Sequence, residues 1–98
     1  MKLNKEMNGK ELMIAIEGRV DTMTSSELDQ MINDSVENAE SLLLDFANVE
    51  YISSAGLRVL LKAHKAMSKK DGMKIKNIGE DIQEIFEITG FTDILNIV

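Results

Sequence analysis

Two apolar periods alternate along the chain, and their order sketches a fold before any residue is given a role. Leu3–Met7 and Glu11–Glu17 flank Asn8-Gly9, the pattern of two strands joined by a two-residue hairpin turn. The period then changes. Leu28, Met31, Ile32, Ser35, Val36 and Ala39 follow the i, i+3, i+4, i+7 rule of an amphipathic helix, and Thr24 with Glu27 matches a capping box at its start. Leu42-Leu43-Leu44, continuing to Phe46, is a short unbroken apolar run that suits a buried central strand.

A second helical stripe follows at Leu57, Leu60, Leu61, His64 and Met67. After Asp71-Gly72 come the strand-like Met73, Ile75 and Ile78. A third stripe, Ile82, Ile85, Phe86 and Thr89, is closed by Gly90, and Ile94–Val98 reads as a last strand. The spacing predicts helices over Thr24–Ala39, Ala55–Lys69 and Glu80–Thr89, in the order β-β-α-β-α-β-α-β. That order gives an α/β class with a mixed β-sheet and three helices packed mainly on one face.

Composition narrows the function. A length of 98 residues suits one compact domain spanning 1–98. The net charge of −6 argues against nucleic acid as a partner and tilts recognition toward basic protein surfaces. There is no cysteine and only one histidine, so thiolate catalysis and Cys- or His-rich metal sites are excluded, and neither cofactor nor metal is expected. The start, MKLNKEMNGKELMIAI, has no apolar h-region, and the longest apolar run, Leu12 to Ile16, falls far short of the roughly 18 residues that suggest a membrane helix. The chain therefore reads as cytoplasmic, with no membrane partner.

The most unusual stretch runs from Leu43 to Leu57, out of a strand, through a loop and into the second helix. Ser53, Ser54, Ala55 and Gly56 are all small, so the unpaired amides and positive dipole end of a helix start are open to approach. An exposed hydroxyl there would tolerate a phosphate. A serine at that place is equally an N-cap, and one residue can be both. A hydrolase nucleophile is excluded, because Ile52 stands where a Gly-x-Ser-x-Gly elbow needs its first glycine. His64 lies ten residues beyond Ser54, roughly 15 Å along the helix, too far to serve as its base. Within the stripe His64 reads as a core residue. Arg58, Lys62, Lys65 and Lys69 share one narrow sector of the same helix, either a solvated face or a partner-facing ridge, with Arg58 next to the serine loop. Glu27, Asp29, Asp34 and Glu37 make an acidic outer face on the first helix.

Asp45 to Leu61, reading DFANVEYISSAGLRVLL, resembles the signature of the STAS (sulfate transporter and anti-sigma factor antagonist) family. Gly18-Arg19-Val20-Asp21 is similar to the family's Gly-x-Leu/Val-Asp, and Ile85-Phe86-Glu87-Ile88-Thr89-Gly90-Phe91 to its Leu-Phe-x-x-Ser/Thr-Gly-Leu. The three matches stand in family order across nearly the whole chain. The resemblance implies a STAS-like fold and a bacterial anti-sigma factor antagonist in place of an enzyme. It puts the phosphorylated serine on Ser54, and Asp21 on the aspartate beside the phosphorylation loop. Asp21, Ser53, Ala55, Gly56 and Arg58 then become the partner-binding residues, although Asp21 also suits a plain turn. Ser53 stands where the family often has an aspartate.

The implied mechanism is partner switching in transcription regulation. The unphosphorylated protein binds an anti-sigma factor that is a serine kinase; phosphorylation ends the contact; a PP2C-type phosphatase restores it. ATP and magnesium belong to the kinase. A monomer or weak dimer is expected, and many relatives carry a further C-terminal helix. A non-switching scaffold, or a docking subunit of a signalling or lipid-transport complex, is the alternative for the same fold.

Overall fold

A computed structural model describes all residues from Met1 to Val98. Its elements, in chain order, are β1 (Lys2–Asn8), β2 (Glu11–Val20), α1 (Ser25–Ser35), β3 (Ser41–Ile52), α2 (Ser54–Met67), β4 (Met73–Lys76), α3 (Glu80–Thr89) and β5 (Asn96–Ile97), with 3-10 turns at Val36–Asn38 and Phe91–Asp93. The five strands lie side by side in sequence order. β1 runs antiparallel to β2, and β2 to β5 are parallel to their neighbours, so the sheet is mixed as the apolar pattern predicts.

Sequence order fixes the layers. Each parallel crossover moves the same way across the sheet, and right-handed crossovers then place all three helices on one face. Strand alternation agrees. Leu12, Ile14 and Ile16 of β2, Leu42, Leu44 and Phe46 of β3, and Met73 and Ile75 of β4 are buried under the helices. They meet Leu28 and Ile32 of α1, Leu57, Leu60 and Met67 of α2, and Ile82 and Phe86 of α3 in one core cluster. Phe86 sits between Phe46, 6.3 Å away, and Phe91, 6.4 Å away, fixing α3 to the sheet through ring contacts.

Three local expectations need correction. The hairpin turn is Gly9-Lys10, because Asn8 already pairs with Glu11; Gly9 takes φ +65°, the left-handed value a tight hairpin needs first. Thr24 is not the capping-box residue. It makes no side-chain cap, and α1 ends at Ser35 before the 3-10 turn. Leu42–Phe46 is indeed the middle strand, within a longer β3, but Leu43 points away from the helices and is only half-buried.

The helix ends are closed by identifiable groups. Ser53 Oγ accepts the Gly56 N–H at 3.3 Å at the start of α2. Gly90, at φ +80°, ends α3 with its N–H on the Phe86 and Glu87 carbonyls. Beyond α1, the Lys70 ammonium reaches the carbonyls of Val36 and Ala39 at 2.6 and 2.7 Å.

Candidate functional site

The site forms where β2 and β3 end. These two strands run on past β4, whose pairing with β3 stops at Asp45 and Lys76. Their register shifts twice, between Ala15 and Glu17 and between Gly18 and Arg19, with Gly18 at φ +95°. Such bulges twist a strand and re-aim its side chains. Val20 and Ile52 turn into the core, while Arg19 and Tyr51 turn outward, the guanidinium carbon 4.5 Å from the ring centroid.

One hydrogen bond holds the two strand ends together. The Ser53 N–H donates to the Val20 carbonyl at 2.8 Å, so Asp21 and Ser54, the next residues on each chain, leave from one point. Gly56 sets how closely α2 approaches it. A Cβ there would stand 2.7 Å from Ile52 Cγ1 and 2.8 Å from Val20 Cγ1, both inside van der Waals contact. The glycine is therefore a packing requirement of the Ser-Ser-Ala-Gly sequence.

Asp21 and Thr24 hold the turn after β2 through several hydrogen bonds. Asp21 Oδ1 accepts the N–H groups of Met23 at 3.0 Å and Thr24 at 2.9 Å. The Thr24 hydroxyl accepts the Asp21 N–H at 2.9 Å, and its own proton lies between the Arg19 carbonyl at 2.7 Å and Asp21 Oδ1 at 3.1 Å. The Thr24 amide, then the Thr24 hydroxyl, hold the Asp21 carboxyl below the ordinary aspartate value, against a small opposing effect of burial. Met23, between them, projects into solvent at 83% exposure.

The α2 start is the opposite case. Ser54 is exposed at the first helical position, and its hydroxyl has no hydrogen-bond partner. Ser53, half-buried, uses its hydroxyl as the cap. The first amides of α2 have no acceptor within the helix and carry the positive end of its dipole. Arg58, one turn on and exposed, lies on the same helix face as Ser54.

Of the residues singled out by sequence, Asp21, Ser53, Ser54, Ala55 and Gly56 thus lie at one edge of the molecule, with Arg58 beside them. The rest of the basic sector leads away. Lys62 is tied to Asp29 of α1 at 3.3 Å, Lys65 is exposed farther down α2, and Lys69 is exposed in the turn beyond its end. His64 is half-buried, with Nδ1 buried and unpartnered. The Arg19–Tyr51 pair and the exposed Met23 were not legible in the sequence. The pair depends on a twice-shifted register, which leaves no local pattern, and Met23 sits in a turn outside any strand or helix period. No three metal-ligating side chains converge anywhere in the chain, and no helix is long and apolar enough to cross a membrane.

Known proteins resemble the chain over nearly its whole length. The STAS domain family matches residues 2–98. The anti-sigma-B factor antagonist of Bacillus subtilis is 26% identical over 98 residues, covering 99% of this chain and 90% of the relative. In three dimensions, an anti-sigma factor antagonist from Mycobacterium paratuberculosis superposes with a TM-score of 0.89 at 22% identity, covering 98% of this chain and 83% of the other. SpoIIAA, a Bacillus cell fate determinant solved in its phosphorylated form, superposes with a TM-score of 0.77 at 14% identity, covering 99% and 91%.

Proposed function

The chain belongs to the STAS domain family of anti-sigma factor antagonists, and on that premise we propose that it is a protein-binding switch turned off by phosphorylation of Ser54. One observation carries this reading: Ser54 is an exposed hydroxyl with no partner of its own, at a helix start knit to the Asp21 turn. The proposed partner is an anti-sigma factor with serine-kinase activity, and a PP2C-type phosphatase acts on the phosphorylated form.

The chemistry asked of this chain is small. The kinase moves the terminal phosphoryl group of its ATP onto Ser54 Oγ, and the hydroxyl proton leaves to the kinase. Ser54 is the better acceptor than Ser53, whose hydroxyl is half-buried and occupied as the cap. In the free protein the new phosphate faces the open amides and dipole of α2, which favour negative charge. Within an interface the same group adds about −1.5 to −2 charge that must be desolvated without a matched partner, and binding is lost. Asp21, Ser53, Ala55, Gly56 and Arg58 frame the contact surface. In this reading the chain is the substrate of the kinase and the phosphatase and carries out no turnover of its own. The proposed switch acts in the cytoplasm, in transcription regulation.

Incubation with the cognate kinase and Mg-ATP tests the reading. One phosphate should appear, mapped to Ser54; Ser53→Ala should still be labelled and Ser54→Ala should not. Ser54→Ala should keep partner binding, because one hydroxyl contributes at most about 1 kcal/mol. Ser54→Asp should weaken binding about tenfold or more while folding normally. Label on Ser53, or unchanged affinity after full phosphorylation, would make Ser54 a structural cap only.

A further inference from the structure

The sheet face opposite the helices has no cover. Parallel strands are ordinarily packed on both faces, yet here all three helices lie on one side of β2 to β5. The uncovered face is not uniformly polar. Register places Glu6 of β1, Met13 of β2, Leu43 of β3 and Lys74 of β4 in one row across four strands. Burial alternation turns Met13, Leu43 and Lys74 away from the core, since their strand neighbours Leu12, Ile14, Leu42, Leu44, Met73 and Ile75 are buried, and Glu6 shares their face through its pairing with Met13; Met13 and Leu43 are half-buried, Glu6 and Lys74 exposed. The row therefore reads acid, apolar, apolar, base. Neither charge is used within the chain, whose one ion pair is Lys62–Asp29.

A sequence of that kind is complementary to itself. A twofold axis parallel to the strands, running between β2 and β3, lays one copy face down on another with left and right exchanged. Met13 of one copy then meets Leu43 of the other, and Glu6 meets Lys74, twice each. An axis across the strands would set β1 on β1 and Glu6 near Glu6, so charge selects the first arrangement. The neighbouring row, Asn4, Ala15, Asp45 and Lys76, raises no conflict. It puts Asn4 against Lys76 and Ala15 against Asp45. The Asp45 carboxylate already takes the Ala47 N–H and the Asn77 amide, each at 3.0 Å. Two twisted sheets pack face to face in this aligned manner, about 10 Å apart.

We infer that the uncovered sheet face is the interface of a weak twofold dimer of this chain, centred on the row Glu6, Met13, Leu43 and Lys74. Four strands about 4.8 Å apart and about 23 Å long present about 450 Å² per copy, or about 900 Å² in total. That is below the span of stable specific interfaces, so the dimer exchanges with monomer. Ser54 begins a helix of the other layer, so a dimer of this kind leaves it accessible.

Sedimentation equilibrium on the intact protein, from about 10 μM to about 1 mM, tests the inference over the range a small interface requires. The wild type should rise toward twice the monomer mass. Glu6→Lys and Lys74→Glu should each weaken association about fivefold or more, because each dimer contains two such pairs. The double variant Glu6→Lys/Lys74→Glu should recover most of the wild-type association, since the swapped charges face each other again. Leu43→Asp should remain monomeric. Urea midpoints within error of the wild type show that the variants fold, and a variant that fails this check is replaced by Met13→Lys. A wild type that stays monomeric at the highest concentration overturns the inference. So does a dimer indifferent to all these changes, or a double variant no better than the singles.

Discussion

The two helix starts at the functional edge are built on opposite plans. At α1 the carboxylate of Asp21 takes two amides, and the Thr24 hydroxyl bridges Asp21 and Arg19, so Asp21 and Thr24 hold each other in place. At α2 a single serine cap at 3.3 Å closes the helix, Gly56 brings it onto the strand ends, and Ser54 is left without any bond. A turn bonded in this way is a clamp: changing it alters stability. On the proposed reading, a bare hydroxyl on a packed helix is a handle: changing it alters what can bind. The end of β2, which leads into the α1 turn, holds the α2 start in place through the Ser53–Val20 bond.

Five measurements can break that comparison or sharpen it. The largest effect should come from Gly56→Ala, whose new methyl must push aside Ile52 and Val20; about 1–3 kcal/mol of stability should be lost in urea unfolding. A negligible change would mean that the strand ends yield easily, and the α2 start would not be rigid.

Asp21→Ala comes next, since it strands two amides at once. Its urea midpoint should fall further than that of Ser53→Ala. Asp21→Asn, which keeps an acceptor oxygen but not the charge, should lie between Asp21→Ala and the wild type. Equal midpoints for Asp21→Ala and Ser53→Ala would erase the contrast between clamp and handle.

Acid titration separates the two ends by charge. The Asp21 carboxyl is held below the ordinary aspartate value of 3.8 by its Thr24 partners. Asp45 is also lowered: burial pushes it up, but the Ala47 N–H, Asn77 and Lys76 together outweigh that. A carboxyl lowered in the folded state stabilises the fold above its unfolded value. The contribution disappears as pH falls below 3.8 and through the folded value. Stability measured by urea from neutral pH downward should therefore be level until about pH 5 and then decline. Asp21→Asn should shorten that acid decline, and an identical decline in the variant would show that Asp21 does not drive it.

Ser53→Ala removes one long cap bond and should cost about 0.5–1 kcal/mol in the same unfolding measurement. The smallest change should follow Ser54→Asp, a gain of about 0.3–1 kcal/mol from an acid at a helix N-terminus. A clear loss of stability in Ser54→Asp would place Ser54 among the structural caps.

Most of the frame was legible from residue periods. Strand and helix patterns differ by period, so β1 to β4 and the cores of all three helices fall where the apolar positions put them. The small residues Ser53 to Gly56 marked the edge of interest for a local reason, since a helix start needs small, capping residues. The misses share one cause. Thr24 and Glu27 satisfied a local capping pattern, but Asp21 took the Thr24 amide from three residues earlier, and the Thr24 hydroxyl turned back to Arg19. Asn8-Gly9 looked like the hairpin turn, yet cross-strand pairing carried Asn8 into the ladder.

By itself, then, the sequence determined which segments are strands and which are helices, that successive crossovers share one face, and which serines begin α2. Each of those follows from neighbours within a turn or two of the same chain. Tertiary structure alone decided that Ser53 is the cap and Ser54 the free hydroxyl, that Gly56 is needed against Val20 and Ile52, and that Arg19 lies over Tyr51. It also decided that Glu6, Met13, Leu43 and Lys74 stand in one row. These contacts join residues far apart in the chain. Their register is set by two bulges and by packing across the sheet, and no local period records it.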